Sequence, residues 1–162
     1  MNVPSARSTA LLILCIAVPL AIGLIGSVFT LPAIAGWYAG LRKPSFTPPG
    51  WIFGPVWTFL YILMGVSLWL VIRDGLKDRP AQRAVILFAV QLAANLGWSV
   101  LFFGLHLIAA AFVEVLFLTG LIAATTLAFR RINTTAGWLL APYLCWTGFA
   151  SLLTGAVWLL NR

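Results

Sequence analysis

Five apolar runs, each long enough to cross a bilayer as a helix, constrain this chain more than any other feature. They fall at about 9–30, 51–72, 84–105, 107–129 and 135–160. A helix needs about 20 apolar residues to traverse a hydrocarbon core roughly 30 Å thick. Strands of a transmembrane barrel would instead alternate over about 10 residues. The expected fold is therefore all-α, one integral membrane bundle of five helices occupying residues 1–162. Of the 162 residues, 62% are hydrophobic and only 8% charged, with a mean hydropathy of +1.05. Soluble domains carry roughly 25% charged residues. A water-soluble enzyme, a disordered tail and a nucleic-acid-binding domain are all excluded by that balance. The first run is too long for the apolar core of a cleaved signal, and Pro19, Gly23 and Gly26 within it read as packing features.

The breakers lie between the runs. Residues 31–50 form a long first loop, a lid, holding Pro32, Gly36, Gly40, Pro44, Pro48, Pro49 and Gly50. Residues 73–80 and 130–134 are polar turns, and His106 marks a very tight one. Arg7, Arg73, Lys77, Arg79, Arg83, Arg130 and Arg131 fall on one side, against Arg42, Lys43 and Arg162 on the other. In a bacterial cell membrane the positive-inside bias places the N-terminus in the cytoplasm and the lid outside. The net charge of +7 belongs to those loops and needs no nucleic-acid partner.

Eight tryptophans are far more than such a chain needs at its interfaces. Trp51, Trp69, Trp138 and Trp158 lie near run ends and suit a headgroup belt. Trp57, Trp98 and Trp146 lie inside their runs. At 1.5 Å per residue from the lid side, Trp57 is about 9 Å deep and Tyr61 about 15 Å. Trp98, Asn95 and Gln91 come at about 10, 15 and 21 Å, and Phe149 and Trp146 at about 17 and 21 Å. Trp57 and Tyr61 are spaced i, i+4, and Gln91, Asn95 and Trp98 are spaced i, i+4, i+7, so each set shares one helix face. An amide facing lipid is unsatisfied, so Gln91 and Asn95 point into the bundle. Each alone has a plain explanation as interhelical glue. With indoles at the same depth, they read as the wall of a cavity for a large, flat, mostly apolar guest such as a porphyrin or a sterol.

Arg42 and Lys43 stand by the mouth, placed either to meet a guest's carboxylate or simply to be solvated in the loop. Glu114 is the one acid inside a run. It reads either as a structural tie or as the proton-carrying group of a proton-coupled small-molecule transporter. Ala89, Ala93 and Gly97 repeat at i, i+4, i+8, a small-residue face suited to close helix packing, within one chain or across a homodimer. No paired carboxylates, Ser–His–Asp set, phosphate loop or CxxC motif is present, so no catalytic residue is assigned. Cys15, Cys145 and His106 share no metal-ligand spacing, and no metal site is expected.

The run Trp37-Tyr38-Ala39-Gly40-Leu41-Arg42-Lys43-Pro44-Ser45-Phe46-Thr47-Pro48-Pro49 and the segment Phe53-Gly54-Pro55-Val56-Trp57-Thr58-Phe59-Leu60-Tyr61 resemble the signature of the translocator protein / tryptophan-rich sensory protein family. Gln91-Leu92 with Asn95, Trp98 and Phe102-Phe103-Gly104 extend the resemblance, as do Pro142-Tyr143, Trp146 and Phe149-Ala150. It covers essentially the whole chain. The resemblance implies a five-helix membrane receptor or carrier, commonly dimeric, that binds porphyrins and haem-type tetrapyrroles, with sterols and benzodiazepine-type ligands as further guests. It requires no cofactor, the tetrapyrrole being ligand. Carried over by motif, the ligand positions are Tyr38, Pro48, Trp57, Tyr61, Asn95, Trp98, Trp146 and Ala150, with Gln91, Phe149, Arg42, Lys43 and Glu114 as secondary candidates. Light-dependent porphyrin breakdown has been proposed for some members, and the matching positions would be Trp57 and Trp146. Two departures stand out. Phe46 replaces the Trp usual after Lys-Pro-Ser, and residues 152–162 lack the Tyr of the animal sterol pattern, which favours a bacterial member with a tetrapyrrole-type guest.

Overall fold

Backbone groups surrounded by hydrocarbon must bond internally, and this chain answers that requirement with helices throughout its spans. The computed structural model describes residues 6–76 and 78–162. Lys77, counted above for orientation, lies outside the described residues. The helices are α1 (Ala6–Ala35), α2 (Trp37–Gly40), α3 (Phe53–Ile72), α4 (Arg79–Ser99), α5 (Ile108–Ile132), α6 (Thr134–Leu139) and α7 (Ala141–Leu160). A 3-10 turn, Gly50–Ile52, leads into α3, and a π turn, Val100–Gly104, ends α4. Among the described residues, five stretches are long and apolar enough to span a membrane: α1, α3 with its turn, α4 with its π turn, α5, and α6 with α7.

Several boundaries move relative to the apolar runs, for local reasons. Helix α1 continues past Thr30 and carries Pro32 inside it, so the lid loses its first turn to the first span. Helix α4 starts at Arg79 rather than near 84, because Asp78 caps it: its carboxylate accepts the Ala81 N–H at 2.9 Å, with Pro80 in the first turn. The fifth span breaks at Leu140, just before Pro142, which has no amide proton to continue the ladder. Asn133 caps the lower piece by accepting the Ala136 N–H at 3.0 Å.

Packing closes these helices into a ring. Helix α1 lies against α3 on one side and α4 on the other; α4 packs on α5, α5 on α6 and α7, and α3 completes the circuit against α6. The half near the 73–78 turn is solid, filled by Met64, Phe88, Ile122, Phe129 and Tyr143. There Ser67 Oγ donates to the Ala136 carbonyl at 2.7 Å, tying α3 to α6. In the lid half α3 reaches α7 through rings: Phe53 meets Trp146 edge-on at 5.9 Å and Trp57 meets Tyr143 at 6.0 Å. Large apolar side chains such as Ile13, Leu24, Val113 and Leu152 stand outward at 60–70% exposure, as a lipid-facing surface requires.

Candidate ligand cavity

A cavity of about 620 Å³ fills the lid half of the ring, within the size range of small-molecule sites. Its floor is a hydrogen-bonded row. Tyr61 Oη donates to Asn95 Oδ1 at 2.8 Å, and Asn95 Nδ2 donates to Tyr143 Oη at 3.1 Å. Asn95 thus joins α3, α4 and α7 at one level, and all three side chains are buried. Such a row satisfies each polar group internally and locks the ring of Tyr61 in place.

Aromatic faces build the walls. Trp57 stacks on Tyr61 with centroids 5.5 Å apart, and Trp98 stacks on Phe102 at 5.3 Å. Trp146 tilts against Phe149 at 5.7 Å. The π turn matters here. By widening one turn it places Phe102 and Phe103 side by side, 4.8 Å apart, where both meet the ring of Tyr38 from the lid. Trp98 lines the space through its ring, while its Nε1 is buried with no hydrogen-bond partner among the described residues.

Tyr38, Trp57, Tyr61, Asn95, Trp98, Trp146, Phe149 and Ala150 all line this one cavity. The sequence candidates Pro48, Gln91, Arg42, Lys43 and Glu114 do not. Pro48 belongs to the lid segment and is not part of the wall. Gln91 shares the face of Asn95 and Trp98 but lies below the floor, in the packed half, with Nε2 4.0 Å from Met64 Sδ and Oε1 unpartnered. Glu114 is off the cavity too, and neither carboxylate oxygen has a partner among the described residues.

The two basic lid residues hold the lid itself. Lys43 Nζ donates to the carbonyls of Tyr38, Leu41 and Ala39 at 2.7, 2.9 and 3.1 Å, capping α2, and lies 4.9 Å from the centre of the Tyr38 ring. Burial pushes the Tyr38 hydroxyl above its ordinary range, so the lid presents a neutral phenol. At Arg42 the backbone does the work: its N–H donates to Asn161 Oδ1 at 3.0 Å, and its carbonyl accepts from Asn161 Nδ2 at 2.8 Å. This two-point clamp fastens the lid to the end of the fifth span. In Asn161→Ala, amides of residues 36–49 are expected to exchange about tenfold faster, while those of α5 hold their rates. Hydrogen exchange by mass spectrometry reads both segments at once, and an unchanged lid would refute the clamp.

Sequence reasoning missed the wall that α1 supplies. Gly23, Ser27, Thr30 and Ile34 line the cavity together with Ser99, Phe103 and Thr154. Ala89 and Ala93 are exposed on the outer side of α4, and Gly97 is half-buried with nothing within 4 Å of where its Cβ would stand, so none of the described residues packs on that face.

The sequence is similar to those of known proteins. Residues 15–159 match the TspO/MBR family. The chain is 46% identical over 150 residues to the "Tryptophan-rich protein TspO" of Chlorobaculum tepidum, covering 93% of this chain and 95% of that protein. It is 43% identical over 142 residues to the protein of the same name from Archaeoglobus fulgidus, covering 88% and 91%. Similarity extends to the human "Translocator protein", 41% identical over 135 residues, with 83% and 80% covered.

Proposed function

The chain belongs to the TspO/MBR family, and from that premise we propose that it binds tetrapyrroles, protoporphyrin IX and haem-type molecules above all, in the cavity under its lid. Membership supports a receptor or transporter role in a membrane, and the five apolar spans make the chain an integral multi-pass protein. The observation that carries the finer reading is the convergence of Trp57, Trp98 and Trp146, from three different spans, on one apolar space. Indole faces offer a broad planar macrocycle stacking area. Flat polycyclic sterols suit the same faces and are a secondary guest class. No resident cofactor is needed for binding of this kind. We place the protein in a bacterial cell membrane with its N-terminus in the cytoplasm, and assign Ala89, Ala93 and Gly97 to a homodimer contact.

The test is an absorption difference titration of purified protein with protoporphyrin IX, in darkness and again under illumination. Saturable binding is expected, and Trp57→Phe combined with Trp146→Phe should weaken it about tenfold, some 1.4 kcal/mol. An unchanged dissociation constant in the double variant, or no saturable binding by the unaltered protein, would overturn the reading. Loss of porphyrin absorbance in the light alone would add a degradative step to it.

A further inference from the structure

Where a residue both lines a cavity and faces outward, the cavity is open, and here such residues cluster on one seam. Helices α1 and α3 meet tightly deep in the bundle. A Cβ on Gly65 would run into the Cα of Ile16 and stand 2.7 Å from the Cys15 carbonyl oxygen. Higher up, Gly23 faces the ring of Tyr61 equally closely. Above that level the two helices part. Leu24 and Leu31 of α1 line the cavity yet are 70% and 67% exposed, and Trp51 on the opposite lip is 75% exposed. Gly54, on the same lip, has nothing within 4 Å of where its Cβ would be. From Leu24 to Leu31 the slot rises about 10 Å along α1.

The chemistry of the lips is apolar even where the residues are not. Ser27 Oγ donates to the Leu24 carbonyl at 2.6 Å, and Thr58 Oγ1 to the Gly54 carbonyl at 2.9 Å. Each hydroxyl is turned back onto its own helix, which leaves neither hydroxyl proton free to detain a passing guest. The lid side is fastened instead, by the Asn161 clamp on Arg42 and by Phe46 against Phe149 at 6.3 Å.

We propose that the slot between α1 and α3 is a lateral portal, through which a flat apolar guest dissolved in the bilayer slides into the cavity without passing under the lid. This rests on the binding reading above and adds the route and the guest's source: the hydrocarbon layer, not the aqueous phase. The seam lies within apolar spans, so its outer edge meets lipid tails.

The test uses the full chain in phosphatidylcholine nanodiscs, with protoporphyrin IX delivered in phosphatidylcholine vesicles and binding followed by stopped-flow quenching of tryptophan fluorescence. Gly54→Leu puts a side chain into the slot without backbone strain, since Gly54 has no positive φ. Association should slow about tenfold, and dissociation should slow with it, because an obstructed path hinders both directions. Ser27→Leu, from the opposite lip, should act in the same sense. Asn161→Ala, which frees the lid, should leave the association rate unmoved. Unchanged association in both slot variants, faster dissociation alone in them, or accelerated association in Asn161→Ala would each overturn the portal while leaving binding intact. No saturable quenching by the unaltered chain would instead remove the binding reading, and the portal with it.

Discussion

Gly65→Val is expected to deprive the chain of its folded state in mild detergent. The Cβ alone would strike α1 at the Cα of Ile16 and the carbonyl of Cys15, both backbone atoms that cannot rotate aside. Helix α1 would have to lift away from α3 along the seam where the two are most closely joined. That exposes Cys15, Leu60 and Met64, now 3% exposed or less. Overpacking against backbone belongs to the class of substitutions that remove more than about 4 kcal/mol. Gly120→Ala makes the contrast. Nothing lies within 4 Å of its added carbon, so it should fold normally and gain up to about 1 kcal/mol of helix propensity. Size-exclusion profiles and thermal unfolding of the two proteins settle the matter; a monodisperse Gly65→Val with an unaltered midpoint would show that α1 can shift where the contact forbids it.

Glycines of this kind mark the line between what the chain's letters disclose and what they hide. Run length and the near-absence of charge were enough for five helices and an all-α fold, because lipid leaves few alternatives. Depth and i, i+4 spacing were enough to bring Trp57, Tyr61, Asn95 and Trp98 to one cavity, because polar and indole groups distinguish a face on their helices. Helix α1 has no such contrast. Its inward face is marked only by small, weakly polar residues, Gly23, Ser27 and Thr30 at i, i+4, i+7, against an otherwise apolar helix, and with Ile34 they went unassigned to the wall. Gln91 shows the reverse failure. Its spacing is right, but the face it shares with Asn95 runs on below the cavity floor into packed core, and spacing carries no information about where a hollow ends. Arg42 and Lys43 depend on the fold of the lid, which turns the Lys43 ammonium onto three carbonyls and uses the backbone of Arg42 rather than its charge. Phe102 and Phe103 were legible only as part of a motif, since the π turn that aligns them adds a residue to the helical period.

Gly23→Val should abolish protoporphyrin binding while leaving a bundle that still assembles. The added side chain would collide with the Tyr61 ring at Cε2, and its Cβ would lie 2.8 Å from Cδ2. Unlike Gly65, this glycine faces a side chain, which can yield, so the helices need not separate. Tyr61 lines the hollow, which gives its ring room to retreat. Yielding moves the Tyr61 ring off its 5.5 Å stack on Trp57 and draws its hydroxyl away from Asn95 Oδ1, now at 2.8 Å. Asn95 then loses an internal partner at the junction of three helices, a change that in membrane bundles removes roughly 0.6 to 1.7 kcal/mol. Affinity suffers far more than stability, because the displaced ring takes up volume a macrocycle would fill. A loss of at least about a hundredfold, near 3 kcal/mol, is expected in the difference titration. Adding Tyr61→Ala to Gly23→Val should recover part of it by emptying the obstructed space, an outcome that a general loosening of the fold would not produce. If Gly23→Val binds protoporphyrin as the unaltered chain does, the guest does not occupy the level of Tyr61, and the floor row of Tyr61, Asn95 and Tyr143 has a packing role alone.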